Sequence, residues 1–240
     1  MTYEEFWLLE AAIINGALFS RLWGPIKSFE LFWNKPYHGM TRLEVLETSC
    51  RLFGQGDIVA CSLDRDEYIP SREEIDRLLY WESPTMTWYH VTAQGGARWE
   101  RVAKPDWSRY FEDAGTEDKR GRPVLEITAG SVATLMRVLE TFPAGTRAIE
   151  RTVLRTALVP WKVSNWKTLP IGHCVRFAYV QHPIRDKPKE WWSIPDEWKE
   201  WFFALPSDEE RRRERERWWR ELYGWYEEYP RAGRASPSPP

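Results

Sequence analysis

The chain of 240 residues is 42% hydrophobic and 29% charged, a composition typical of a globular protein with its own core. Its formal net charge of -2 lacks the basic excess expected of a protein that binds nucleic acid through phosphate contacts. Its three cysteines have no CxxC spacing, so neither a disulfide framework nor a structural zinc site is expected.

The first residues, MTYEEFWLLEAAIINGALF, contain an apolar stretch without the basic region that begins a secretory signal peptide. Glu4 and Glu5 precede the apolar stretch, and Glu10 and Asn15 interrupt it. No other run approaches the roughly 18 apolar residues needed to span a bilayer. We therefore expect a cytoplasmic protein with reduced cysteines and no membrane contact.

Residues 1–111 are predicted to form a helical unit with a few short strands. The first forty residues are apolar on nearly every side, as expected of a helix packed within a domain. A clearer helix begins after Thr41, which has capping-box spacing with Glu44. The segment DIVACSL is predicted to be a strand, and the polar DRDEY that follows it a turn.

The last part of this unit contains sequence signals for two further helices and a strand. A helix is predicted to begin at Ser71, and WYHV is predicted to be a second strand. Thr92 is then predicted to cap a helix that runs to about Ala103. Gly95 and Gly96 occupy the first turn of that last helix, at a propensity cost of about 1 kcal/mol each. Close packing of the turn against a neighbouring element would explain both glycines.

The letters YHVT at residues 89–92, followed by Gly95, resemble the "strand, Leu-Thr-x-x-Gly, helix" ending of many bacterial winged-helix domains. The resemblance covers residues 38–104, and Val91 stands where Leu is usual. It implies a winged-helix-like unit in which residues 71–81 take the recognition-helix position and ESPTM forms a very short wing.

The rest of the chain is predicted to contain a linker, a second unit and a tail. The polar span EDAGTEDKRGRP, residues 112–123, is the predicted linker. Residues 124–182 are predicted to form a small α+β unit that ends in the alternating strand HCVRFAYV. Residues 183–229 are predicted as a Trp-rich helical tail, and 230–240 as a disordered end. The predicted fold class is therefore α+β.

The sequence contains no familiar catalytic motif. Its four histidines have no HExxH or HxxxH spacing, and G-x-S-x-G, P-loop and G-x-G-x-x-G motifs are absent. His173 and Cys174 are neighbours on a predicted strand, so their side chains point to opposite faces and form no dyad. A pair assembled from distant residues, such as Cys50 with His90, stays open. We predict no catalytic residue, no cofactor and no metal site.

Tryptophan is the most unusual part of the composition, with 16 residues spread along the chain. Between two predicted strands, rings and cations alternate in a way that could contact a partner or instead close the end of the core: Trp161, Lys162, Trp166 and Lys167. A second aromatic group in the tail has the same two alternatives, docking on its own domain or on a partner: Trp191, Trp198 and Trp201.

These observations favour a non-enzymatic protein–protein interaction module from a bacterium, such as an immunity or antitoxin-like protein or a defence-associated regulator. Such a module would occlude a protein partner through aromatic anchors. One alternative is a winged-helix transcriptional regulator that binds duplex DNA. The other is an enzyme with a dispersed Cys/His site.

The charges of the winged-helix-like segment disfavour DNA binding, because the basic residues of 71–104 are matched by carboxylates and the predicted recognition helix begins with acidic residues. We therefore expect the purified protein to give no electrophoretic shift of duplex DNA, even at low salt. A shift that weakens steeply with added salt would contradict this expectation and favour the regulator.

Overall fold

The structure of the protein, a computed structural model, describes residues 1–22, 39–80, 86–141, 146–149, 152–181 and 224–230. These residues combine helices with antiparallel sheets, which confirms the predicted α+β class. None of their helices is both long and apolar enough to cross a membrane. They divide into two compact units: unit 1 contains the described residues of 1–104, 162–168 and 227–230, and unit 2 those of 105–161, 169–181 and 224–226.

Unit 1 contains a four-stranded antiparallel sheet in the order β1-β4-β2-β3, with helices packed on one face. Its elements in chain order are α1 (Tyr3–Ala11), β1 (Ala17–Leu18), α2 (Phe19–Leu22), α3 (Arg42–Gly54), β2 (Ile58–Ser62), β3 (Arg65–Tyr68), α4 (Arg72–Leu78), β4 (Thr87–Val91) and α5 (Ala93–Ala103). The side chains that the inner strands direct toward the helices are buried, namely Ile58, Ala60, Tyr89 and Val91.

Side-chain caps begin α1, α3, α4 and α5 in unit 1. The caps predicted at Thr41, Ser71 and Thr92 are confirmed, since each side-chain oxygen accepts the backbone N–H three residues later. A further capping box joins Thr2 and Glu5 at the start of α1. Local hydrogen bonding therefore begins these helices at the residues that the sequence indicates.

The polar segment DRDEY, predicted as a turn, instead contains strand β3. The chain turns at Leu63 and Asp64, and β3 pairs with β2 in an antiparallel hairpin. The guanidinium of Arg65 lies 3.6 Å from the ring centroid of Tyr68, whose hydroxyl donates to Glu74 at 3.1 Å. Backbone pairing and these polar contacts hold the strand without an apolar alternation, so the hydrophobic pattern could not reveal it.

The winged-helix arrangement implied by the resemblance is not confirmed. Helix α4 forms at the predicted recognition-helix position, but the β2–β3 hairpin precedes it in the chain. The segment ESPTM, predicted as the wing, lies outside the described residues except for Met86.

A buried ionic cluster joins α1, α5 and the start of β2. The guanidinium of Arg98 on α5 donates to the carboxylate of Asp57, and at 3.0 Å to that of Glu5 on α1. The side chain of Asp57 is fully buried and that of Glu5 is 7% exposed, so either charge would be costly without its cation. The carbonyl of Asp57 also accepts from the amide of Thr92 at 2.9 Å. The start of an inner strand is thus tied to two helices.

The two glycines at the start of α5 pack as closely as their positions predict. A Cβ at Gly95 would overlap the carbonyl oxygen of Asp57, and one at Gly96 would overlap the ring of Trp166. Only glycine allows the first turn of α5 to approach both neighbours so closely.

Unit 2 contains a second antiparallel sheet and one packed helix. Its elements are a 3₁₀ turn (Trp107–Arg109), β5 (Phe111–Glu117), β6 (Pro123–Ala129), α6 (Val132–Thr141), β7 (Thr146–Ala148), β8 (Leu154–Leu158) and β11 (Gly172–Gln181). Between β8 and β11 the chain forms the short β9 (Trp161–Lys162) and β10 (Thr168–Leu169), whose inner residues Lys162 and Thr168 belong to unit 1. β11 pairs with β6 on one side and with β8 on the other, and β5 lies beyond β6. From α6, Leu135 and Val138 pack on Ile127, Val175 and Phe177.

The predicted linker, residues 112–123, consists of most of β5, a turn and the first residue of β6. In the turn the carboxylate of Asp118 accepts the backbone amides of Arg120 and Arg122, and it pairs with the Arg122 guanidinium at 2.6 Å. The polar composition therefore belongs to an exposed edge strand and a tight turn rather than to a linker.

Most of the predicted helical tail lies outside the described residues, and its described part, 224–229, contains no helix. The carbonyl of Trp225 accepts the amide of Asp106 at 2.7 Å, and the Trp225 ring is buried, 5.0 Å from the ring centroid of Tyr110. Pairing with a segment distant in sequence therefore replaces the local hydrogen bonds of a helix. The predicted disordered end, 230–240, lies outside the described residues apart from Pro230.

The ionic cluster predicts a large difference between two arginines on α5. Arg98→Met leaves the buried carboxylate of Asp57 without its cation and leaves Glu5 with only the Arg51 guanidinium, 3.6 Å away, so we expect a loss of about 3 to 5 kcal/mol in the free energy of unfolding. Arg101, one turn further on, is exposed, and Arg101→Met is expected to change that free energy by no more than about 0.5 kcal/mol. Urea unfolding followed by circular dichroism measures both. Equal losses in the two variants would show that the cluster contributes no more than a surface ion pair.

Candidate functional site

The sheet of unit 1 has a second face, opposite its helices, that carries half-buried side chains. Strand alternation places four of them there, namely Val59, Cys61, Trp88 and His90. In the β2–β4 ladder Cys61 lies opposite Trp88, and Val59 lies opposite His90. Cys61 and His90 are therefore diagonal neighbours on one face, within reach of each other.

A thiol, an imidazole and a carboxamide meet on this face. Sγ of Cys61 lies 2.9 Å from Nε2 of His90, and Nδ1 of the same ring lies 2.8 Å from the side-chain nitrogen of Asn165. When the carboxamide oxygen faces Nδ1, it accepts the Nδ1 proton and leaves Nε2 without one, whereas the carboxamide nitrogen at Nδ1 would place the ring proton on Nε2. Cysteine hydrolases use these three groups in this order of contact. We refer to these three residues as the Cys61 site.

Asn165 comes from the loop between β9 and β10, which belongs to unit 1, and the next two residues of the loop are anchored on other parts of that unit. The indole N–H of Trp166 donates to the carbonyl of Ile13 at 2.8 Å. The ammonium of Lys167 pairs with Glu100 on α5 at 2.6 Å. These two anchors hold the preceding amide against the imidazole.

The surroundings of the Cys61 site favour an uncharged thiol and an uncharged imidazole at neutral pH. Burial raises the pKa of the Cys61 thiol, and the nearby carboxylate of Glu67 raises it further. Burial lowers the pKa of His90, with Glu67 acting in the opposite direction. A nucleophilic sulfur here would therefore need the imidazole to remove its proton during the reaction.

Trp161, predicted to contact either a partner or the core, is in the core of unit 2 with 2% of its surface exposed. Its ring stacks on Tyr110 with centroids 5.7 Å apart, and its N–H donates to Glu112 at 3.0 Å. A Cβ at Gly172 would overlap the same ring. A ring packed on these sides is a core residue rather than a surface anchor.

The other predicted contact residues differ in their exposure and in whether the structure describes them. Lys162 is exposed, whereas Trp166 and Lys167 are half-buried and make the internal contacts given above. The tail group lies outside the described residues, namely Trp191, Trp198 and Trp201.

The structure pairs His90 with Cys61 rather than with Cys50, the example that the sequence left open. Cys50 is half-buried on α3. His38 and His182 lie outside the described residues. Among the residues that are described, no group of three or more His, Cys, Asp or Glu side chains could hold a metal ion.

Strand β8 is a second feature that bears on function. It pairs with β11 along one side, and all five of its side chains are exposed. Leu154 is 62% exposed and Leu158 is 37% exposed. The neighbouring Val159 and Ile171 are also exposed, which extends the apolar surface beyond the strand.

Comparisons with models of protein families, with curated proteins and with solved structures found no match for this chain.

The pKa of His90 predicts a pH dependence of stability. Because burial lowers this pKa below the value of about 6.5 in an unfolded chain, the unfolded state binds more protons in the window just below that value. The free energy of unfolding should therefore fall as the pH decreases through the window, and His90→Gln should remove this part of the fall. Urea unfolding of both proteins over a pH series measures the difference. Parallel curves for the two proteins would show that the His90 pKa is not lowered by folding.

Proposed function

We propose that this protein is a protein-binding module, and that strand β8 binds an extended segment of its partner. The observation that carries the proposal is a strand that pairs on one side only among the described residues, and whose five side chains are all exposed and mostly uncharged. Such binding would suit the role of an immunity or defence-associated protein.

The contrast among edge strands supports this choice. Natural proteins protect sheet edges from pairing with other chains by making them short or charged. In unit 2, β5 carries three acidic residues, Glu112, Asp113 and Glu117, and in unit 1 three of the four residues of β3 are charged. β1 is only two residues long. β8 has one charged residue, Arg155, in five.

The side chains of β8 define the chemistry of the segment that would bind. Leu154, Thr156 and Leu158 alternate on one face, and Arg155 and Ala157 on the other. A partner strand would satisfy the outer backbone groups of β8, its apolar side chains would cover the two leucines, and an acidic side chain would suit Arg155.

The exposed apolar area around β8 supports the same proposal. Leu154, Leu158, Val159 and Ile171 form a run of exposed apolar side chains around the strand. Aromatic anchors remain part of the proposal only for residues outside the described part of the chain, because Trp161 is in the core and Trp166 bonds internally.

Site-specific photo-crosslinking in the native host tests the proposal. A benzophenone amino acid at position Thr156 should give one predominant adduct with a partner protein. The double variant Leu154→Lys and Leu158→Lys should lower the yield of that adduct by about tenfold or more, because it places charges where apolar side chains would pack.

The matched control is Thr116, which is exposed on β5 at the other edge of the same sheet. The same photo-crosslinker there should give no such adduct. Equal adducts at both positions, an adduct made only of a second copy of this chain, or an adduct that survives the double variant would each overturn the proposal.

A further inference from the structure

We propose that the Cys61 site is a nucleophilic centre that accepts an acyl group from an ester or thioester. Cys61 supplies the attacking sulfur, His90 acts as the general base, and Asn165 is a positioning residue. The site lies in unit 1 and is independent of the proposed binding by β8.

The first support is the contact between sulfur and imidazole. At 2.9 Å, Nε2 of His90 is within reach of the thiol proton, as a general base must be. The strand register produces this contact on two inner strands of a sheet, which is a more rigid support than a surface loop.

The second support is that the imidazole is held on its other sides. Nδ1 contacts the Asn165 amide at 2.8 Å, and a Cβ at Gly16 would overlap the ring. The Asn165 loop is anchored by a hydrogen bond from Trp166 and by the ion pair between Lys167 and Glu100. The proposed step requires the carboxamide orientation in which its oxygen accepts from Nδ1–H, because only that tautomer leaves Nε2 free to take the thiol proton.

The surroundings indicate the class of acyl donor. Cys61 is half-buried rather than enclosed, and Val59 and Trp88 provide apolar surface on the same face. Glu67 is the charged group that acts on both the thiol and the imidazole. Its negative charge would repel an anionic donor, so the site suits a neutral or cationic acyl compound with a small apolar acyl part.

The reaction balances without an oxidant or a metal. The Cys61 sulfur forms a bond to the acyl carbon while its proton moves to Nε2 of His90. The bond from the acyl carbon to the alcohol or thiol leaving group breaks, and the leaving group takes the proton from the imidazole. The product is an S-acyl cysteine and a free alcohol or thiol, and water or a second nucleophile can later accept the acyl group.

The rate should depend on pH in a way that separates the Cys61 site from an ordinary thiol. His90 works as a base only when it is uncharged, so the rate should rise with pH through the lowered pKa of His90 and then level off near neutrality. In the part of the chain that the structure describes, Glu67 is the charged group that acts on both reacting side chains. Cys50 also has a pKa raised by burial, so its reaction should increase mainly at alkaline pH, with no plateau at neutral pH.

The experiment uses p-nitrophenyl acetate with the full-length protein. Release of p-nitrophenolate is followed by absorbance, and peptide mass spectrometry measures acetylation of Cys61 and Cys50 in the same sample. We expect Cys61 to be acetylated about tenfold faster than Cys50 at neutral pH, and His90→Gln to slow Cys61 by about 100-fold. Asn165→Ala should slow it less and shift the pH at which the rate levels off.

Cys50 provides an internal control for folding, because its rate should be unchanged when a variant keeps the native structure. Cys61→Ser should abolish the rapid release of p-nitrophenolate and leave the Cys50 rate as it was. The proposal is overturned if Cys61 reacts no faster than Cys50 in the unaltered protein. It is also overturned if His90→Gln preserves both the Cys50 rate and the Cys61 rate.

Discussion

The placement of Arg98 between two buried carboxylates is the constraint on which the rest of unit 1 depends. Glu5 and Asp57 belong to α1 and to the start of β2, and neither could stay charged in the core without a cation beside it. Because α5 carries Arg98, the three segments have to meet in one arrangement. That arrangement also positions β4, which leads directly into α5 through the Thr92 cap.

The Cys61 site follows from this arrangement. With the starts of β2 and α5 fixed, the β2–β4 register places Cys61 and His90 on the same face. The first turn of α5 approaches so closely that Gly96 leaves room for the ring of Trp166, and the neighbouring Asn165 reaches the imidazole. The ion pairs of Arg98 and the close contact at Gly96 thus bring together the three side chains of the Cys61 site.

In unit 2 the main physical constraint is the exposure of backbone groups at the edges of its antiparallel sheet. Its β5 edge is acidic and ends in a turn held by Asp118. Among the described residues β8 is the other edge, and it carries two leucines on one face and a single charge. The difference between these two edges of one sheet makes β8 the more suitable surface for another chain.

Local chemistry alone determined several features of this protein. The caps at Thr41, Ser71 and Thr92 and the α+β class follow from residues that are close in sequence. The glycines at 95 and 96 indicate a close approach of the backbone, although not which residues they approach. Each depends on short-range hydrogen bonding, on side-chain size or on periodicity, which a sequence records directly.

Tertiary structure decided the remainder, because those features depend on residues far apart in the chain. The strand β3 is polar throughout and exists by pairing with β2, and the span 112–123 forms a hairpin although its composition resembles a linker. No pattern in the sequence relates Cys61 to Asn165, and the alternation of β2 and β4 gives faces but not register. Only the folded chain, with its ladder and its anchored loop, determines which cysteine meets the histidine.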